Sequence, residues 1–188
     1  MTREQALQLL KDNCPEQQLL QHSLQTEVVL AHLAKHLEQD PQLWSMAGLL
    51  HDLDYSWTKD QPEKHGLLAA EMLQDSLPSE AVQAIKAHNS EMTGIQPLSS
   101  LDYALRCGES VTGLVWANAL VRPQGMQGMK PKSLKKKMQD KSFAANVSRD
   151  RIRECERLGL ELGEFLQISI QAMSEFEQDL SQHESQSS

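Results

Sequence analysis

Apolar positions recur at three- and four-residue spacing along most of the chain, the signature of helices that bury one face. Residues about 2–12 predict a first helix, with Thr2 placed to cap it. A second helix spans about 16–38 and ends at Gln39-Asp40-Pro41. Asp40 then caps a third helix, which carries Pro41 in its first turn and runs to His51-Asp52. The stretch "DYSWTKDQPEK" is a polar loop. A fourth helix is expected from His65 to about Gln74, and a fifth from "SLPSE" to His88-Asn89. Ser99 or Ser100 caps a sixth over about 101–120. A Gly/Pro interruption, "RPQGMQGMKP", precedes a lysine-rich segment at 130–141, and Ser148 opens a last helical pair broken at Gly159. Strand-like alternation of β-branched and aromatic residues is nearly absent. The pattern therefore predicts one all-α domain over about 1–180, with its core at about 20–120 and C-terminal helices at 148–180. The polar stretch 181–188, "SQHESQSS", is expected to be a disordered tail.

Composition supports this class and removes others. At 188 residues the chain is long enough for one substantial core, and its 39% hydrophobic content with only 4% aromatics is a helix-forming mixture. A formal charge of −8 argues against a general binder of nucleic acid polymers. No stretch approaches the roughly 20 apolar residues that cross a bilayer, so no membrane partner is expected. The opening "MTREQALQLLKDN" reads as an amphipathic helix rather than a signal peptide. Cys14, Cys107 and Cys155 are odd in number and widely spaced, which predicts a reduced, cytoplasmic protein. Nothing in the pattern fixes an oligomeric state.

Against this background the doublet His51-Asp52 is conspicuous, because small and apolar residues Met46–Leu50 lead straight into two metal-ligand types. A buried carboxylate is costly without a cation or hydrogen bonds, and a helix C-terminus favours a cation. The simpler alternative is a core histidine with an aspartate closing the helix. Helical geometry brings further candidates. His22 shares a stripe with Thr26, Val29 and Leu33, and His51 stacks over Trp44, Ala47 and Gly48. His88 follows Ala81 and Ile85, while Glu109 lies on the stripe of Leu105, Thr112, Gly113 and Trp116. His65 sits beside Gly66 at a helix start. Polar groups on the core side of separate helices are expected to meet one another. His36 lies roughly 21 Å along its helix from His22 at ~1.5 Å per residue, so it cannot join them. The His32/His36 pair reads as a solvated face, and His183 falls in the tail.

The order of these residues resembles the HD-domain superfamily of metal-dependent phosphohydrolases. The segments "MAGLLHDLDYSWTKDQPEKHG", "AIKAHN" and "LDYALRCGESVTGLVWANALVRP" are similar to small stand-alone bacterial members of the HDIG type. The resemblance implies a helical HD bundle with His22, His51, Asp52 and Glu109 as primary metal ligands. It also implies that His65 and His88 hold a second ion, with Asp52 bridging the two. Glu109 departs from the aspartate of the family pattern.

Imidazole and carboxylate together suit Mn, Fe, Co, Ni or Zn, as one ion or two. Such a site lowers the pKa of water and clamps a phosphoryl group. On that basis His51 and Asp52 carry the chemistry, and no separate general base is evident. Asp54 and Glu63 are candidates by proximity, against a simpler reading as loop and capping residues. Anion contacts are expected from Lys132, Lys135 and Lys136 within a cluster that also holds Lys130, Lys137 and Lys141, either as a lid or as a solvated face. Lys59 and Arg122 are further candidates, and Tyr55 and Trp57 offer rings for a base. The expected function is hydrolysis of a small phosphorylated substrate, a nucleotide or dinucleoside polyphosphate. A di-iron oxygenase and a non-catalytic ligand-binding module are the alternatives.

Overall fold

The computed structural model describes the backbone of residues 1–186 and the side chains of residues 1–182. The helices are α1 (Arg3–Asn13), α2 (Gln17–His36), α3 (Pro41–Leu50), α4 (Tyr55–Thr58), α5 (Leu67–Leu73) and α6 (Ser79–Ala87). They continue as α7 (Ser90–Thr93), α8 (Ser100–Leu120), α9 (Pro131–Gln139), α10 (Arg149–Arg153) and α11 (Leu162–Gln186), with a 3-10 turn at Glu154–Leu158. No strand occurs among the described residues, so the all-α expectation holds. Among the described residues no helix is long and apolar enough to cross a membrane.

The helix boundaries follow from their caps. Thr2 accepts from the Gln5 amide in a reciprocal capping box, and Asp40 accepts from Gln42 and Leu43 with Pro41 in the first turn. Ser99 caps α8 and Ser148 caps α10. Gly159, at φ +78°, breaks the C-terminal pair at the expected place. Two short helices, α4 and α7, escape sequence reading because four residues give no periodicity. The last helix runs on to Gln186, through most of the expected tail, while the His183 side chain and residues 187–188 lie outside the described residues.

α2, α3, α6 and α8 form the packed centre, with α11 laid across α2 and α8. α3 is buried on most sides through Trp44, Met46, Ala47, Leu49 and Leu50, and it lies closest to α2. That approach depends on Gly48, where a Cβ would stand 2.9 Å from the Thr26 carbonyl oxygen and 3.1 Å from the Glu27 Cα. A missing side chain thus sets the His22 and His51 helices side by side. His32 and His36, also on α2, reach α11 separately, at 2.9 Å from Glu175 and 3.1 Å from Glu164. They tie two helices together and form no joint site.

Candidate metal centre

The doublet ends α3. His51 is the C-cap, and its Nδ1 lies 2.8 Å from the Gly48 carbonyl three residues back. His88 repeats the device at the end of α6, with Nδ1 2.6 Å from the Ile85 carbonyl. Helix ends leave carbonyls without partners, and each ring satisfies one of them. The bond also fixes the tautomer: Nδ1 carries the proton, so Nε2 presents a lone pair.

Asp54 does the same for His65. Fully buried, it accepts from His65 Nδ1 at 2.9 Å through Oδ1, and from the Gly66 and Ala69 amides at 2.8 and 2.9 Å through Oδ2. It therefore caps α5 and orients an imidazole at once. Gly66 stands between them at φ +87°, and a Cβ there would lie 2.7 Å from the Ile85 oxygen and 2.8 Å from His88 Cε1. His22 comes from α2, with Nδ1 3.1 Å from the Thr112 hydroxyl on α8.

All four Nε2 atoms converge on one carboxylate. Asp52 Oδ1 lies 3.3 Å from His51, 3.2 Å from His65 and 3.6 Å from His88, and Oδ2 lies 3.8 Å from His22. Two compact donor groups result, His22-His51-Asp52 and Asp52-His65-His88, with Asp52 common to both. His65 and His88 Nε2 stand 3.0 Å apart although each ring's proton is already placed on Nδ1. Two lone pairs so close repel unless a proton on one ring or a metal cation lies between them. The donor set therefore fits one or two transition-metal ions, and ligating histidines characteristically donate their other ring nitrogen as these do.

Charge follows the same logic. Burial pushes the His22 and His51 imidazoles below their ordinary value, against the pull of Asp52. Burial opposes ionisation of Asp52, yet His51 and the hydrogen bonds of His65 and His88 hold its carboxyl well below the usual range. His65 is also disfavoured as a cation by burial, but Asp52 and Asp54 outweigh this and push it up to about 10. A proton there stands where a metal cation would.

Glu109 enters neither donor group. Its Oε1 accepts from Ser110 Oγ at 2.6 Å and from Arg151 at 3.0 Å, so it holds a guanidinium at the mouth of the site. Arg151 also binds Glu91, at 2.6 Å, and Glu91 in turn pairs with the buried Arg106, which reaches Glu154. A cleft of about 440 Å³ opens here between His22, Glu91, Glu109, Ser110, Asn146 and Arg151. It continues past Val147 and Ser148 into a larger one, about 750 Å³, that carries Lys135, Lys141, Arg149 and Arg153. Arg149 donates to the carbonyls of Asp140, Phe143, Ala144 and Val147, which gathers that loop beside the cleft.

Of the expected anion contacts, Lys135 lines this basic extension, whereas Lys59, Lys132 and Lys136 are exposed and line neither cleft. Arg122 is tied to the Gly125 and Gln127 carbonyls. Most of the lysine segment is a helix that packs through Leu134 and Met138. Glu63 is exposed, and Trp57 is about half exposed, while the Tyr55 ring packs edge-on to His65 at 5.4 Å. The three cysteines are buried. Sequence reading missed Arg151 because "SRDRIRE" looks like a solvated charged turn, and Glu91 because the four-residue α7 that carries it gives no periodicity.

A protein-family model described as the HD domain matches residues 19–139. Among curated proteins the chain is similar to Ribonuclease Y of Chlorobium luteolum, 37% identical over 86 residues, 45% of this chain and 16% of that protein. Ribonuclease Y of Mycoplasma genitalium is 34% identical over 76 residues, 40% of this chain and 16% of that one. The protein of the same name from Desulfotalea psychrophila is 29% identical over 98 residues, 52% and 18% respectively. The chain thus spans under a fifth of the length of these relatives. No solved structure matches.

Proposed function

The chain belongs to the HD-domain family, and on that premise we propose that it is a divalent-metal-dependent phosphohydrolase acting on a small phosphorylated substrate, a nucleotide. The observation that carries this reading is the convergence of four imidazole Nε2 atoms on Asp52, each ring pinned through its other nitrogen. Bound transition-metal ions supply Lewis acidity and bring the pKa of a coordinated water to about 7.

The protein's own groups supply orientation and charge. Asp52 serves both donor groups and is the carboxylate placed to bridge them. His22 and His51 complete one side, and His65 and His88 the other. Asp54 uses both oxygens on His65 and α5, so it acts as a positioning residue rather than a proton acceptor. Arg151, held at the mouth by Glu91 and Glu109, offers a forked pair of donors to a phosphoryl group that displaces one of them. Glu109 acts in this reading through Arg151.

The test is a hydrolysis panel on protein loaded in turn with Mn, Fe, Co, Ni and Zn. It includes p-nitrophenyl phosphate, nucleoside monophosphates, dinucleoside polyphosphates and a short RNA. Metal-dependent release of phosphate or nucleotide from small substrates supports the reading. Cleavage of the RNA alone would move the substrate to the polymer that the relatives' name indicates, against the chain's charge of −8. No turnover with any metal would leave a ligand-binding module, and turnover only in oxygen on an organic substrate would leave an oxygenase.

A further inference from the structure

A further cleft, of about 470 Å³, lies beside His22, between α2 and α8. Its walls are Gln18, Gln21, His22 and Gln25 from one face of α2, and Gly113 and Trp116 from α8. Helical spacing brings these residues together. Positions 18, 21, 22 and 25 fall on one helical face, and 113 and 116 continue the stripe that starts at Glu109. His22 and Gly113 belong also to the cleft that holds Arg151, so the two open onto a common saddle. At Gly113 a Cβ would stand 2.9 Å from Val147 Cγ2, and the missing side chain keeps that saddle open.

We propose that this cleft is a nucleobase subsite, in which a base stacks on Trp116 and its edge meets the glutamine amides while its phosphate lies across His22. This rests on reading the neighbouring centre as a phosphohydrolase of nucleotides. Three features select this ligand chemistry. The lining holds no acidic or basic side chain apart from the imidazole, so an ionic group gains nothing there and belongs beside Arg151. Three primary amides present donors and acceptors together, as the edge of a base requires. A partly buried indole supplies a stacking surface that tolerates any base.

Gln25 adds an independent observation. It is only 4% exposed, and its Nε2 is buried with no hydrogen-bond partner. An unpaired buried amide is costly, and rotation of this side chain would offer the N–H to an acceptor in the cleft it lines.

The experiment is calorimetric titration of the metal-free full chain, which separates binding from turnover. Its probes are AMP, GMP, CMP and UMP, the corresponding nucleosides, and ribose 5-phosphate. At least one nucleoside monophosphate should bind on the order of ten-fold tighter than ribose 5-phosphate. Trp116→Leu and Gln25→Leu should each remove most of that preference and leave the affinity for ribose 5-phosphate unchanged. Should either variant fail to fold, Gln18→Ala and Gln21→Ala on the outer lip must lower the preference instead. Equal binding of all monophosphates and ribose 5-phosphate, or a preference that survives these substitutions, overturns the subsite. If the metal-loaded chain hydrolyses phosphate compounds without base preference, the subsite falls and the phosphohydrolase reading stands. If the chain binds a nucleoside through Trp116 yet hydrolyses no phosphate compound, the subsite stands and the phosphohydrolase reading falls.

Discussion

Asp54→Asn probes the centre without touching a donor atom. The native carboxylate accepts three hydrogen bonds: His65 through Oδ1, and the Gly66 and Ala69 amides through Oδ2. Asparagine keeps the shape but has one acceptor oxygen. If that oxygen stays on the two backbone amides, the NH2 group faces His65 Nδ1 and forces the proton of that ring onto Nε2. His65 then points an N–H, not a lone pair, at the Asp52-His65-His88 group. Loss of such an outer partner lowers metal affinity about 10–100-fold, or roughly 1.4–2.8 kcal/mol. Fold stability should drop by about 1–3 kcal/mol for the weakened buried hydrogen bonds, which is several degrees in Tm for a chain of this size. Metal titration followed by elemental analysis, with thermal melts in chelator, reads both effects. The expected variant is folded, holds about one ion and turns over poorly. Two ions bound with wild-type affinity would refute the tautomer argument.

Three further outcomes follow from the geometry. In the metal-free protein, His65 is raised to about 10 by Asp52 and Asp54 over an ordinary value near 6.5, so its stabilising contribution is complete below pH 6.5 and declines as pH rises toward 10. Melts in chelator at pH 7 and 8.5 should show falling stability at the higher pH, lessened in His65→Ala; a flat profile would contradict this. Gly48→Ala should destabilise by about 1–3 kcal/mol, because its Cβ meets the Thr26 backbone at 2.9 Å and drives α3 from α2, and metal content should fall with it. An equally stable, fully metallated variant would dispose of that account. Arg151→Gln should raise KM for a phosphate substrate about ten-fold, whereas Glu109→Gln should keep the metal content and Lys136→Gln should be near wild type; loss of an ion in Glu109→Gln would return Glu109 to the donor set.

The helices were legible in the sequence because capping residues and apolar spacing act locally. Thr2, Asp40, Ser99 and Ser148 each cap where their side-chain chemistry predicts. The inward faces of His22, His51 and His88 were legible for the same reason, and their convergence followed from the cost of burying polar groups apart. What sequence concealed depends on distant partners. Arg151 meets Glu109 across 42 positions from a five-residue helix that is almost wholly charged, and nothing local distinguishes it from solvated surface. Asp54 read as a loop residue because its three donors come from the far side of that loop. The glutamines of α2 look like ordinary surface until Trp116 of α8 closes the cleft.

Anomalous scattering from crystals grown with manganese or zinc reads the donor groups around Asp52 without reference to turnover. Two peaks are expected, one at the His22-His51-Asp52 group and the other at the Asp52-His65-His88 group. A metal-saturated crystal with no peak at either donor group would contradict the account.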